Sequence, residues 1–363
     1  MTGSQNTLIA LLAREWQHLV AISESDRPWQ MPIATALSVG LPLLVGAYFG
    51  HMDYGLISCL GGLTFLYLPE TPLHHRMIYL VACAFAMSAS YALGLMSHFL
   101  PVTVILSLTF ISIVVTMLCR FYCVGPPGSA FFIMAAAIGA YSPCEVPEIP
   151  LKVGLMTLGA ILACMIAFAY SLIMLRIRPA KPIEPLPPAT FDFVIFDSII
   201  IGIAIGISLF LAYLFQIERA YWVPISCLVI IQGMSLRAAW VRQVHRLLGT
   251  GIGLLVAWGL LSIPFNHWSL SLTIMALSLI IETTVMRHYG FAVIFVTPMT
   301  ILLADAATLD PNSVAPLIEE RFFDTVLGCL VGFAGGICLH SPRFRAVVGG
   351  WIRRFGVRQQ KSL

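Results

Sequence analysis

The sequence predicts an all-α polytopic membrane protein with about twelve transmembrane helices. They form two parallel six-helix repeats, with the N- and C-termini cytoplasmic. Three observations predict this. Of 363 residues, 59% are hydrophobic and 10% charged, with a mean hydropathy of +0.92, whereas a soluble domain is about 25% charged. All but three of the 20 lysines and arginines fall on one side of an alternating twelve-segment layout; Lys152, Arg219 and Arg321 fall on the other. Short motifs also recur between the halves at one near-constant spacing.

Residues 1–30 are read as an N-terminal cytoplasmic or interfacial segment. Within it, 5–22 is broken by Arg14, Glu15 and His18, so it predicts an amphipathic helix on the membrane surface and not a secretory signal. Apolar runs at about 31–50, 54–68, 77–98, 100–119, 128–141 and 151–175 predict the first six-helix repeat, 31–175. Residues 176–191 hold five prolines and predict an extended cytoplasmic linker. Runs at about 194–215, 220–233, 247–263, 268–283, 289–303 and 322–339 predict the second repeat, 192–340. The basic tail, 341–363, is amphipathic and fits anionic lipid, not nucleic acid.

With the N-terminus inside, the excess of basic loops is cytoplasmic, as orientation by Lys/Arg bias requires. Dropping one segment would invert every later loop, so the count is even. Ile57-Ser58-Cys59-Leu60 matches Ile225-Ser226-Cys227-Leu228, His75-Arg76 matches His245-Arg246, and Leu158-Gly159 matches Leu327-Gly328. These offsets run from 168 to 170. Six segments per half keep the two halves in one orientation.

The second and fifth segments of each half are short and adjoin glycine or proline: Gly61-Gly62, Gly125-Pro126-Pro127-Gly128, Pro224 and Pro298. Such interrupted spans in matching positions point to a transporter's binding site. Arg219, beside Tyr221 and Trp222, is a cation next to stacking rings; it fits a carboxylate site or an interfacial belt. Its repeat equivalent is His51. His75-Arg76 and His245-Arg246 are read as cytoplasmic helix starts that collect anions or anchor the chain. Gly128, Phe131 and Phe132 open the fifth segment, where a helix N-terminus can receive a carboxylate or simply begin a helix. Asp324 and Asp197 lie inside spans as proton-coupling candidates, and Arg321 is either part of that coupling or a helical-spacing partner of Asp324.

The nine cysteines have no CxxC spacing and read as small buried hydrophobes. No nucleophile elbow, phosphate loop or HExxH is present, so no enzyme, cofactor or metal is expected.

The strings RAYWVPISCLVIIQ, RQVHRLLGTGIGLLVAWGL and ERFFDTVLGCLVGFAGG, with GPPGSAFFIMAAAIGA in the first half, resemble the fusaric acid resistance protein-like family of aromatic acid exporters. The resemblance is to a short form without large cytoplasmic domains. It implies efflux of small organic, often aromatic carboxylic, acids across the bacterial inner membrane. It marks Arg219, Tyr221, Trp222, Arg246, Gly249, Arg321, Asp324 and Gly328 as motif positions. It also implies a periplasmic membrane-fusion partner, which Gram-negative members often use. Plant malate channels with a related membrane module keep a passive anion channel open as an alternative. A non-transporting envelope scaffold is a third reading, and a major-facilitator transporter ranks low for want of its loop pattern. The expected partners are therefore a small organic anion, protons and the lipid bilayer. The chain acts alone or as a homodimer through its Gly/Ala-rich helix faces.

Overall fold

A computed structural model describes residues 21–99, 101–186, 188, 190–217, 220–233, 235–305 and 314–350. The surface helix expected over 5–22 and the tail beyond residue 350 lie outside the described residues.

The described residues fold into helices without strands. In the first half these are α1 (Gln30–Phe49), α2 (Met52–Gly62, extended by a 3-10 turn Leu63–Tyr67), α3 (Leu73–Ser97), α4 (Pro101–Phe121), α5 (Ala130–Tyr141) and α6 (Ile149–Ile177). In the second half they are α7 (Asp197–Leu214, entered by a π turn Asp192–Phe196), α8 (Trp222–Ile231), α9 (Leu236–Leu261), α10 (His267–Thr284), α11 (Tyr289–Asp305) and α12 (Val314–His340). A further helical stretch runs over 342–350.

Seven of these helices are long and apolar enough to cross a membrane: α1, α3, α4, α6, α7, α9 and α12. Their outer faces carry exposed side chains such as Phe85, Phe110, Met165, Leu255 and Leu330. Water would penalise that surface and lipid accepts it. The chain is a multi-pass membrane protein.

Helix α8 has 10 residues and α5 has 12. At 1.5 Å per residue they reach only ~15–18 Å, about half of a hydrocarbon core. They cannot span alone, and they do not face lipid: every residue of α8 except Val229 is buried. Helix ends within a membrane must be covered by protein or face a cavity, because their free carbonyl and N–H groups find no partner in hydrocarbon.

Packing partners are duplicated between the halves. In the first, α2 packs on α6, α3 on α5 and α3 on α6; in the second, α8 packs on α12, α9 on α11 and α9 on α12. The halves meet by exchange of equivalent helices: α1 lies on α10, and α7 lies on α4. Two of the recurring motifs meet at matching crossings. A side chain at Gly159 of α6 would run into the backbone of Ser58 on α2; one at Gly328 of α12 would run into Val223, Ser226 and Cys227 on α8. Only the absence of a Cβ lets these helices approach so closely.

The third motif match is not equivalent in space. Arg76 stands in the first turn of α3, whereas α9 starts at Leu236 and His245-Arg246 lies ten residues further in. The span expected to begin at 247 therefore begins much earlier, with Ser235 capping the helix by accepting from Ala238 N at 3.1 Å. The last span likewise starts at Val314, not 322. Both early starts have one cause. Arg246 and Arg321 read as span boundaries by hydropathy, yet each is buried in protein within a continuous helix.

Two ion clusters bind the halves at one end. Arg27, before α1, meets Glu282 of α10 at 3.0 Å. At the pseudo-equivalent place, Arg120 of α4 meets Asp197 of α7 at 2.8 Å. Asp197 also lies 2.9 Å from Arg345 of the 342–350 helix, without the alignment of a hydrogen bond. The linker leaves α6 extended, and Lys181 N donates to Glu70 O at 2.9 Å.

Candidate functional site

One large cavity, about 1760 Å³, lies between the halves. The four short helices line it: α2 through Tyr54, Ile57 and Leu60; α5 through Phe131, Met134 and Tyr141; α8 through Trp222, Ile225 and Val229; and α11 through Tyr289, Val296 and Thr300. The lining runs from Asp53, Glu145 and Lys152 at one end to Arg120, Arg242 and Glu282 at the other. Its walls are mostly apolar and aromatic, with few polar groups, as small-molecule cavities are.

The polar centre belongs to the second half. Arg246, on α9, is 5% exposed and lines the cavity. Its Nη2 donates to Ser226 Oγ on α8 at 3.1 Å, and its Nη1 to Tyr289 Oη on α11 at 3.3 Å. Its Nε has no hydrogen-bond partner. Arg321, on α12, is 4% exposed and stacks its guanidinium on the Trp222 ring at 4.0 Å. Trp222 lines the cavity while Arg321 does not, so the ring screens the cation. Arg321 Nε and Nη1, and Asp324 Oδ1, also lack hydrogen-bond partners.

Arg321 and Asp324 do not form an ion pair: among the described residues no salt bridge joins them, although they lie within electrostatic range. Buried guanidinium groups without a carboxylate are costly in a membrane and mark sites of use.

The other sequence-predicted residues are placed as follows. Tyr221 lines the cavity, with its ring 6.4 Å from Tyr141 of the first half. Arg219 lies outside the described residues. His51 caps the start of α2, is exposed, and stacks on Tyr54 at 5.0 Å without lining the cavity. Phe131 lines the cavity; Phe132 is buried against Tyr67 at 4.6 Å. Gly128 lines it too, in the left-handed region at φ 61°, and its carbonyl accepts from Tyr67 Oη at 2.8 Å.

His75 meets Thr71 at 2.8 Å, and Arg76 donates to the Thr71 carbonyl and to Ser171. These two hold α3 to its neighbours and do not line the cavity. His245 packs against His288, their rings 4.7 Å apart, beside Arg246 but outside the lining. Asp197 sits in the ion cluster with Arg120 and Arg345, away from Asp324.

Four contributors escaped sequence reading: Ser226, Tyr289, Tyr141 and Gln232. Gln232 Nε2 donates to Ser129 Oγ at 2.9 Å, joining the end of α8 to the start of α5. Tyr289 and Tyr141 had a signal, since Tyr289 opens a short segment and Tyr141 closes one.

Fold and site thus define a multi-pass helical membrane protein with a cation-bearing cavity between two similarly packed halves. Residues 199–335 match the family model described as fusaric acid resistance protein-like. The match covers the second half; the Gly125–Gly128 stretch of the resemblance lies outside it.

Two curated proteins are similar. The uncharacterized membrane protein YvaC of Bacillus subtilis (strain 168) is 29% identical over 140 residues, covering 39% of this chain and 22% of that protein. The uncharacterized protein YhfK of Escherichia coli (strain K12) is 25% identical over 142 residues, covering 38% and 19%. The matched stretch spans 22% and 19% of these relatives' own lengths. No solved structure matches.

Proposed function

We propose that this protein exports small organic acids, above all aromatic carboxylic acids, across the bacterial inner membrane, with the proton gradient as its driving force. In this reading the chain crosses the membrane twelve times as two parallel repeats. The Arg120/Glu282 end faces the cytoplasm, and both termini lie there. The observation that carries the reading is Arg246: a buried guanidinium with a free N–H, set in an aromatic cavity lined by all four short helices. A guanidinium holds a carboxylate, and Trp222, Tyr221, Tyr289 and Phe131 offer faces to an aromatic ring. Rocking of the two halves about the cavity would expose it to each side in turn. Asp324 is the proton-carrier candidate.

A passive anion channel is the second reading. It is favoured by a cavity lining that runs from one end of the molecule to the other.

The test is uptake of labelled benzoate into inside-out proteoliposomes with and without an imposed pH gradient. The exporter predicts accumulation that needs the gradient and falls at least about tenfold in Arg246→Gln, the loss of one charge-assisted contact. Flux that follows voltage alone and ignores the gradient selects the channel. No flux of any organic acid sinks both.

A further inference from the structure

The buried charges around the cavity do not balance. Arg246 and Arg321 lie within electrostatic range of each other. Among the described residues the one buried carboxylate beside them is Asp324, 1% exposed. Glu320, next to Arg321 in the chain, is only half-buried. Tyr141 from α5 lies near Asp324, and Tyr221, just before α8, lies near Arg321; neither adds a carboxylate to the cluster.

No carboxylate among the described residues pairs with Arg246, and its neighbours are neutral hydroxyls, Ser226 and Tyr289. Three guanidinium nitrogens across the two arginines, Arg246 Nε and Arg321 Nε and Nη1, have no hydrogen-bond partner. Two cations and one anion leave a surplus of one positive charge in a site walled by apolar side chains. Such a surplus is neutralised most cheaply by an anion from outside.

We propose that the Arg246–Arg321–Asp324 cluster is a site for one monovalent carboxylate, with Asp324 as a built-in competitor that limits its affinity and excludes dianions. The proposal rests on the organic-acid reading above and deepens it by setting the charge of the substrate. The ligand carboxylate meets Arg246 directly, the cluster member that lines the cavity. Arg321 acts from behind Trp222, through the field of its charge and through the ring it polarises. Asp324 offsets one of the two cations. A monoanion then brings the cluster to neutrality, while a dianion overshoots.

The experiment is equilibrium binding to the full chain in lipid nanodiscs at fixed pH, by calorimetry. The probes are benzoate as monoanion, phthalate as dianion and benzamide as neutral isostere. Wild type is expected to bind benzoate more tightly than phthalate, and benzamide not at all. Asp324→Asn removes the competitor: benzoate binding tightens about tenfold and phthalate gains more, since each ligand charge feels the change. Arg321→Gln works in the opposite sense, weakening benzoate about tenfold, and serves if the aspartate variant fails to fold.

The proposal is overturned if Asp324→Asn leaves benzoate affinity unchanged or weaker, if benzamide binds as well as benzoate, or if wild type prefers phthalate. Binding needs no transport, so its failure beside intact benzoate flux overturns only the charge assignment. Absence of flux beside intact binding overturns the transport reading instead.

Discussion

The two halves share a scaffold and differ in what they place on it. At the α8/α12 crossing, Trp222, Arg321 and Asp324 cluster around the backbone contact of Gly328. At the α2/α6 crossing, the same offsets put Tyr54, Lys152 and Leu155 around the contact of Gly159. There the cation is drawn outward: Lys152 pairs with Glu148 at 3.0 Å, on a carboxylate half exposed to solvent. The first half thus keeps the close approach without the buried charge. Backbone approach at a crossing tolerates only small residues, whereas a side chain facing a cavity is free to vary. Among the described residues, these two crossings therefore hold one charged centre, not two, and the first half supplies walls: Phe131, Tyr141 and Tyr54.

The largest expected effect tests whether the crossings are equivalent. Gly159→Leu and Gly328→Leu each force backbone apart, costing beyond the ~1–3 kcal/mol of ordinary overpacking. Both should fail to give monodisperse, thermally cooperative protein in fluorescence-detected size exclusion. Tolerance of one but not the other would break the comparison.

The next contrast sharpens the asymmetry. Trp222→Ala removes the ring under Arg321, a cation–π contact of ~0.5–2 kcal/mol plus its burial. Benzoate flux should fall about tenfold, while Tyr54→Ala changes it by no more than about twofold. Equal losses would mean that both crossings serve the substrate.

The smallest effect concerns the ion pairs joining the halves. Arg27→Glu or Glu282→Arg should lower stability by ~1–2 kcal/mol, above the exposed-pair median because both side chains are mostly buried. The double swap should restore the unfolding midpoint. Swapping Arg120 and Asp197 should not restore it, because Asp197 also serves Arg345. Full rescue there would show that the tail helix contributes nothing.

Much of this was legible in the sequence. The short segments, read from Gly and Pro placement, are the helices that line the cavity. Gly159 and Gly328, noticed as an offset match, are the contact points of two matching crossings. The starts of α9 and α12 were not legible. Hydropathy treats a charge as the edge of a span, and it cannot know that Ser226 and Tyr289 await Arg246, or that Trp222 covers Arg321. For the same reason His75-Arg76 and His245-Arg246 looked equivalent. One pair opens a helix and the other lies within one, because the 3-10 turn and loop over residues 63–72 separate the α-helical parts of α2 and α3, whereas only residues 232–235 separate α8 from α9.

By itself the sequence determined an all-helical, multi-pass membrane protein and marked its short, Gly- and Pro-flanked helices. Those properties follow from composition and periodicity, which act locally along the chain. Only the tertiary structure decided which charges are buried, which of them have partners, and that Arg246, Arg321 and Asp324 gather beside the cavity in the second half. Those depend on residues hundreds of positions apart meeting across helix crossings, and on a cavity whose walls come from both halves.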